Sequence, residues 1–192
     1  MLLLKNALIF DGHSPELREA EVLVEKDRIK EIGKGLLASG ARAIDLKGRT
    51  LMPGLIDAHF HAALVEANLA KLGHMPRSLN ALHAAKNLEA ALDRGFTTIR
   101  DAGGADHGLA RATEAGLIAG PRLFYSGKVL SPTGGHGDSR AAETPECPFC
   151  PAGGGFSHIA DGVDAVRKAA REELRKGATQ IKIMASGGVA SP

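Results

Sequence analysis

The sequence predicts an α/β fold: a small antiparallel β unit over residues 1–52, then a series of strand–helix pairs over residues 53–192. Three observations carry that expectation. Residues 1–52 show short apolar runs broken by turn signals, and no helical period. After Pro53 the pattern changes to strand, loop and helix, and then repeats. Within that repeat, DGVDAVRKAAREELRKG carries the strongest helical pattern of the chain.

The elements follow in order. LLLKNALIF is an apolar strand that ends at the turn pair Asp11-Gly12. Val22-Leu23-Val24 and the run from Ile29 to Ile32 are two short strands hinged at Lys26-Asp27, and ARAIDLKGRTLMPG gives a third strand region. GLIDAHFH is the next strand, and the Ala- and Leu-rich run from about 66 to 93 is a helix stopped by Gly95. FTTIRDAGG is a strand entering a glycine-rich loop, HGLARATEAGLIA a helix, and PRLFYSGKVLS the third strand of this part. A loop rich in Gly, Pro and Ser runs from about 131 to 158. The helix after it is capped by Asp161, presents Val163, Val166, Ala170 and Leu174 on one face, carries Lys176 at its negative end and stops at Gly177. TQIKIMASGG is the fourth strand. Strands alternating with helices predict parallel βα units. A closed barrel of such units needs eight of them and typically about 250 residues, so the sheet is either open or the front half of something larger.

Composition sets limits on function. The 192 residues, 44% hydrophobic and 24% charged, can bury a core. The charge is balanced, 24 basic against 22 acidic residues, and no basic stretch is one-sided; aromatics make up 4% and Trp is absent. Those features exclude a nucleic-acid surface. Two cysteines do not build a disulfide framework. MLLLKNALIFDG has too short an apolar run for a secretory leader. No window approaches the roughly 18 apolar residues of a membrane span. The expectation is a chain of the reducing cytoplasm with no membrane or nucleic-acid partner.

The chemistry concentrates in PGLIDAHFHAAL. Residues two apart in a strand share a face, so His59 and His61 project together while Phe60 turns the other way. Two neutral imidazoles at a strand's C-terminal end form a bidentate site for Zn²⁺, Mn²⁺ or Fe²⁺. The pair equally fits two polar strand-end residues, one hydrogen-bonded and one solvated. Asp57 shares the face and can hold a histidine's second nitrogen. Lys182 lies between Ile181 and Ile183 inside an apolar strand. Burial disfavours an ammonium there and favours the neutral amine. That amine can add CO₂ and become a carbamate, whose two oxygens suit two metals. The plainer reading is a lysine whose stem is covered and whose head reaches water.

LMPGLIDAHFH resembles the first barrel strand of the amidohydrolase superfamily, with its H-x-H metal ligands. GFTTIRDAGG, GPRLFYSGKVLSPTGGHGD, ADGVDAVRKAAREELRKGATQIKIMASGG and the β-rich residues 1–52 are similar to the branch holding imidazolonepropionase-like enzymes and Xaa-Pro dipeptidase or carboxypeptidase-type amidohydrolases. The resemblance covers essentially the whole chain. It implies a (β/α)8 TIM-type barrel, represented here by about four βα units, preceded by part of a β-sandwich-like domain built from both chain ends. It implies that His59 and His61 bind a divalent metal, Zn²⁺ above others and one or two ions in all. It further implies that Lys182 is the carboxylated, metal-bridging lysine, with CO₂ held as its carbamate. His136, in TGGHGD, would lie near the substrate and contact its carbonyl or carboxylate; otherwise it is a loop histidine on a glycine-rich segment. The implied reaction is hydrolysis of a C–N bond in a dipeptide or N-acyl amino acid by metal-activated hydroxide, with a cyclic amide of the imidazolone type as the alternative. The family's remaining ligands, a histidine from each of strands five and six and an aspartate from strand eight, have no counterpart here. The expectation is therefore about half of a family member, completed by a second half or forming a homo-oligomer. The non-catalytic alternative is a truncated chain that binds a metal or a partner and turns nothing over.

Other features read as structural. Cys147-Pro-Phe-Cys150 has CxxC spacing, but Pro148, Pro151 and the following glycines argue for a reduced pair in a loop. DAGGADHG and AGGGFSH lack the Lys-Ser/Thr of a phosphate loop. His74, His83 and His107 fall in or beside helices as surface or capping residues. Arg100-Asp101 reads as a structural ion pair, with a supporting role behind the site as the alternative.

Overall fold

The computed structural model describes residues 1–144 and 155–188; Cys147 and Cys150 lie outside the described residues. The chain divides into two compact units, Met1–Gly54 and Leu55–Pro192.

The first unit holds β1 (Leu2–Ile9), β2 (Arg18–Glu25), β3 (Arg28–Gly33), β4 (Arg42–Asp45) and β5 (Thr50–Leu51). The strands β1, β2 and β3 pair antiparallel, and the β2–β3 turn carries Lys26 at φ +55°. Ala7, Ile9, Ala20 and Val22 form the buried core of this sheet, with Leu4, Val24, Leu46 and Leu51 packed around them. The sheet is not wholly antiparallel as expected: β4 and β5 both run parallel to β1. The β2–β3 hairpin and the residues after it form a connection long enough to re-enter the sheet in the direction of β1, which a two-residue turn cannot do.

The second unit holds β6 (Leu55–Phe60), α1 (Leu69–His74), α2 (Arg77–Asp93), β7 (Phe96–Asp101), α3 (His107–Glu114), β8 (Arg122–Tyr125), β9 (Val129–Ser131), β10 (Ser157–Ile159) and α4 (Gly162–Arg175). The strands β6, β7 and β8 form a parallel sheet in chain order. The expected single helix over 66–93 is two helices, α1 and α2, divided at Met75-Pro76, because proline removes a backbone donor. Gly95, at φ +91°, ends α2. The Asp106 carboxylate caps α3 by accepting from the Leu109 amide at 3.0 Å. Leu88, Ile99 and Ala105 are fully buried and pack with Ala62, Ala91, Leu123 and Tyr125 into one core between sheet and helices, flanked by Phe60. None of the described sheets closes on itself. No helix among the described residues is long and apolar enough to cross a membrane.

Four details depart from the sequence expectation. The third strand breaks at Gly127, φ +71°, into β8 and β9. Inside the span expected as loop, β10 pairs parallel with β9. The fourth strand is reduced to one parallel bridge, Leu130 to Ile183, in which Lys182 O accepts from Leu130 N at 2.9 Å and Met184 N donates to Leu130 O at 2.8 Å. Finally, α4 is rotated from its expected face. It buries Ala169 and Glu173 and half-buries Val166 and Ala170, while Val163 is 72% and Leu174 51% exposed. Asp161 makes no cap hydrogen bond; its carboxylate accepts instead from Thr133 N at 3.0 Å and Thr133 Oγ1 at 2.6 Å.

Glu173 explains the rotation. Its carboxylate accepts from Lys128 N at 3.2 Å and Lys176 Nζ at 2.9 Å, and His158 Nε2 lies 2.9 Å away. Burial pushes its pKa up, but these donors outweigh burial and hold it below the ordinary value. A Cβ at Gly127 would overlap this carboxylate, so the break between β8 and β9 needs glycine.

Leu88→Ala is expected to cost about 2–5 kcal/mol, because it empties a fully buried site. Leu82→Ala, at a residue 67% exposed on the same helix, is expected to cost under about 0.5 kcal/mol. Urea midpoints of the two variants check this, and equal losses would contradict the core assignment.

Candidate metal centre

Phe60, the last residue of β6, turns toward the helix-side core, so His59 and His61 stand on the opposite face. Their ring centroids are 5.2 Å apart, with planes at 66°. The His61 Nδ1 lies 3.1 Å from the Gly103 carbonyl oxygen. A carbonyl only accepts, so Nδ1 carries the proton and Nε2 keeps its lone pair. The Phe156 ring lies 6.3 Å from that of His61. Asp57 does not hold a ring nitrogen as expected. Its Oδ1 accepts from the His59 backbone amide at 2.9 Å, because two residues along an extended chain brings the amide within reach.

Arg100 and Asp101 do not form the expected ion pair. Successive strand residues point to opposite faces, and the two side chains go separate ways. Arg100 Nε donates to Ala58 O at 2.7 Å. The Asp101 carboxylate is wholly buried and accepts from Ala62 N at 2.6 Å, Gly103 N at 2.9 Å and Ala105 N at 3.1 Å. Burial pushes its pKa up, against the pull of those three amides. The sequence marked Asp101 only as a strand-final residue shortly before a glycine pair, with a supporting role behind the site as the alternative to an ion pair.

Lys182 is half-buried rather than enclosed, because its segment meets the sheet at a single bridge, Leu130 to Ile183. Ile181 packs on the Leu130, Ala160 and Ala169 cluster under α4, which leaves Lys182 on the other face. Burial first, and then the charges of Lys182, His61 and Arg100, hold the His59 imidazole below its ordinary pKa; Asp57 opposes them. Lys182 is the first of the charges that act on His59. The lowered pKa favours the neutral imidazole, the form that ligates metals. Among the described residues no group of three or more His, Cys, Asp and Glu side chains gathers as a metal cluster.

His136 rides on a loop held from within. Ser131 Oγ accepts from Gly137 N at 3.0 Å, and Ser157 Oγ donates to Gly137 O. The Asp138 carboxylate accepts from Gly134 N at 3.0 Å and takes the Arg140 fork at 2.7 and 2.6 Å. The His136 ring is half-buried, and its Nδ1 is sealed from solvent without a hydrogen-bond partner. It lies against Gly188, where a Cβ would come within 2.6 Å of the ring. His136 is thus brought against the segment that carries Lys182. His74 and His83 are exposed, as expected. His107, also exposed, lies with its Nδ1 3.4 Å from the Tyr125 hydroxyl.

Residues 50–192 match the family model described as the amidohydrolase family. Among solved structures, a prolidase in complex with N-methylphosphonate-L-proline is 47% identical, with a TM-score of 0.92, and the match covers 100% of this chain and 48% of that one. A Xaa-Pro dipeptidase with bound methionine in its active site is 29% identical, with a TM-score of 0.81, over 99% of this chain and 48% of that one. Among characterised proteins, the ochratoxinase of Aspergillus niger is 35% identical over 203 residues, which is 96% of this chain and 42% of that protein. The chain spans about half the length of the relatives it matches.

The Arg140 fork, aided by the Gly134 amide and opposed by burial, holds the Asp138 carboxyl at about 2, against an ordinary 3.8. A pKa lowered on folding stabilises the loop above the unfolded value near 4, and that stabilisation is lost as pH falls toward about 2. It amounts to roughly 2 kcal/mol at neutral pH. Asp138→Asn should therefore lower stability at pH 7 by up to about that amount, and the deficit should shrink near pH 3. Urea titrations at the two pH values test it; a deficit independent of pH would remove the ion pair as its cause.

Proposed function

This chain belongs to the amidohydrolase family, and on that premise we propose that it carries the opening half of the metal centre of a hydrolase for N-acyl amino acids, above all those acylated on proline nitrogen. The observation that carries the reading is the state of the two imidazoles. His61 gives its Nδ1 proton to Gly103 O and offers Nε2, while the surroundings of His59 favour its neutral form. In this reading β6, β7, β8 with β9, and the segment around Ile183 are the opening strands of the family's barrel.

The donors fit a divalent cation of the zinc type: two imidazole nitrogens, and an amine that can become a two-oxygen carbamate by adding CO₂. His59 and His61 would hold the ion, and Lys182, once carboxylated, would bridge to a second. When bound, the cation supplies an acidified water and a Lewis acid for the amide carbonyl. The chain's own groups do the rest. The Gly103 carbonyl keeps the His61 proton off Nε2. Arg100 brings positive charge to the face where an oxyanion would develop. His136, whose buried Nδ1 lacks a partner, would have to turn out of its contact with Gly188 to meet a substrate carbonyl or carboxylate.

The similarity to the prolidase supports the substrate class. A tetrahedral phosphonate on proline nitrogen has the shape and charge of the adduct formed when water attacks an acyl-proline amide.

The test uses the full-length protein, assayed for bound metal and for hydrolysis of N-acyl-prolines beside a cyclic imidazolone. His61→Ala should lower zinc affinity by about 10–100-fold or more. Lys182→Arg cannot form a carbamate, because guanidinium stays protonated, and should lose bridged metal together with turnover. Wild-type metal content and rate in Lys182→Arg would sink the bridging role, and hydrolysis of the imidazolone alone would overturn the substrate class.

A further inference from the structure

We propose that Asp101 is the positioning residue of the histidine pair, a buried carboxylate that fixes the Gly103 carbonyl and, through it, the proton on His61 Nδ1. The functional consequence rests on the metal reading of His59 and His61; the geometry does not.

Asp101 belongs to β7, while His61 follows β6. One carboxylate nevertheless ties the main chain on both sides of the His61 hydrogen bond. Its Oδ2 accepts from Ala62 N, the amide just after the imidazole. Its Oδ1 accepts from Gly103 N, in the residue whose carbonyl faces His61 Nδ1, and from Ala105 N. The peptide between Gly103 and Gly104 is then pinned at both ends: its oxygen faces Nδ1, and Gly104 N donates to Gly127 O at 3.0 Å. Packing closes the remaining freedom. A Cβ on Gly103, at φ +148°, would come within 2.5 Å of Val129 Cγ1 and 3.2 Å of Phe156 Cζ.

The choice of a buried acid has a reason. A neutral imidazole exists as two tautomers, and the hydrogen bond made by one nitrogen selects between them. A carbonyl selects strongly only if it cannot turn away. Here turning would strip donors from a carboxylate with no access to water, which is costly. Asparagine at 101 keeps the shape but sets an N–H₂ against at least one backbone N–H. It must release either Ala62 or the Gly103–Ala105 pair.

The experiment uses the full-length protein with histidine labelled in nitrogen, stripped of metal, and read by long-range proton–nitrogen correlation spectra. The wild type should show His61 as a single Nδ1–H tautomer. Asp101→Asn should show a mixture, and its zinc affinity, measured by competition with a chelator, should fall about 10–100-fold. A wild-type Nε2–H tautomer overturns the proposal even if Asp101→Asn does not fold. So does an Asp101→Asn protein that keeps the Nδ1–H tautomer, whatever its zinc affinity. A wild type that shows the Nδ1–H tautomer and binds no zinc removes the metal reading alone and leaves the positioning role supported.

Discussion

A carboxylate sealed at the end of β7 receives three backbone amides in place of a cation. Those amides come from two loops that differ in origin: one continues β6 beyond His61, and the other enters α3. Neither loop can shift alone without leaving a charged oxygen unsatisfied in a dry site. The glycines of the second loop let the chain pass close under Val129 and Phe156. Rigidity at the histidine pair is thus obtained from main-chain donors and close packing, with little help from regular secondary structure.

Around that anchor the electrostatics point one way. His59 is surrounded by Lys182, His61 and Arg100, with Asp57 the opposing charge. Positive neighbours discourage a proton on the ring, and an unprotonated ring is what a cation needs. The same neighbours would repel the cation itself unless Lys182 gave up its charge. Carbamate formation turns that positive group into a negative one, which makes the amine's chemistry the hinge of the whole reading.

Much of this was legible in the residues. The two-residue period of a strand put His59 and His61 on one face, and the opposed direction of Phe60 follows from the same rule. The helices were visible in spacing and in Gly95. The relevance of Lys182 came from likeness to a family, since a lysine between two isoleucines has no signature of its own. Other features lay beyond pattern reading. Apolar alternation is blind to strand direction, so β4 and β5 looked antiparallel. Gly127 divides an otherwise continuous strand for the sake of a carboxylate on a helix far along the chain. Neither Asp101 nor Glu173 shows from its residue type that it faces inward, because only the donors that converge on it decide.

Glu173 carries a thermal corollary. It seats α4 through the Lys128 amide and a contact with His158, while Leu174 beside it lies half in water. Hydration of charged groups weakens on warming, so withdrawing them from solvent becomes less unfavourable just where apolar attraction levels off. A helix seated in this way should be among the last parts of its unit to loosen as temperature climbs.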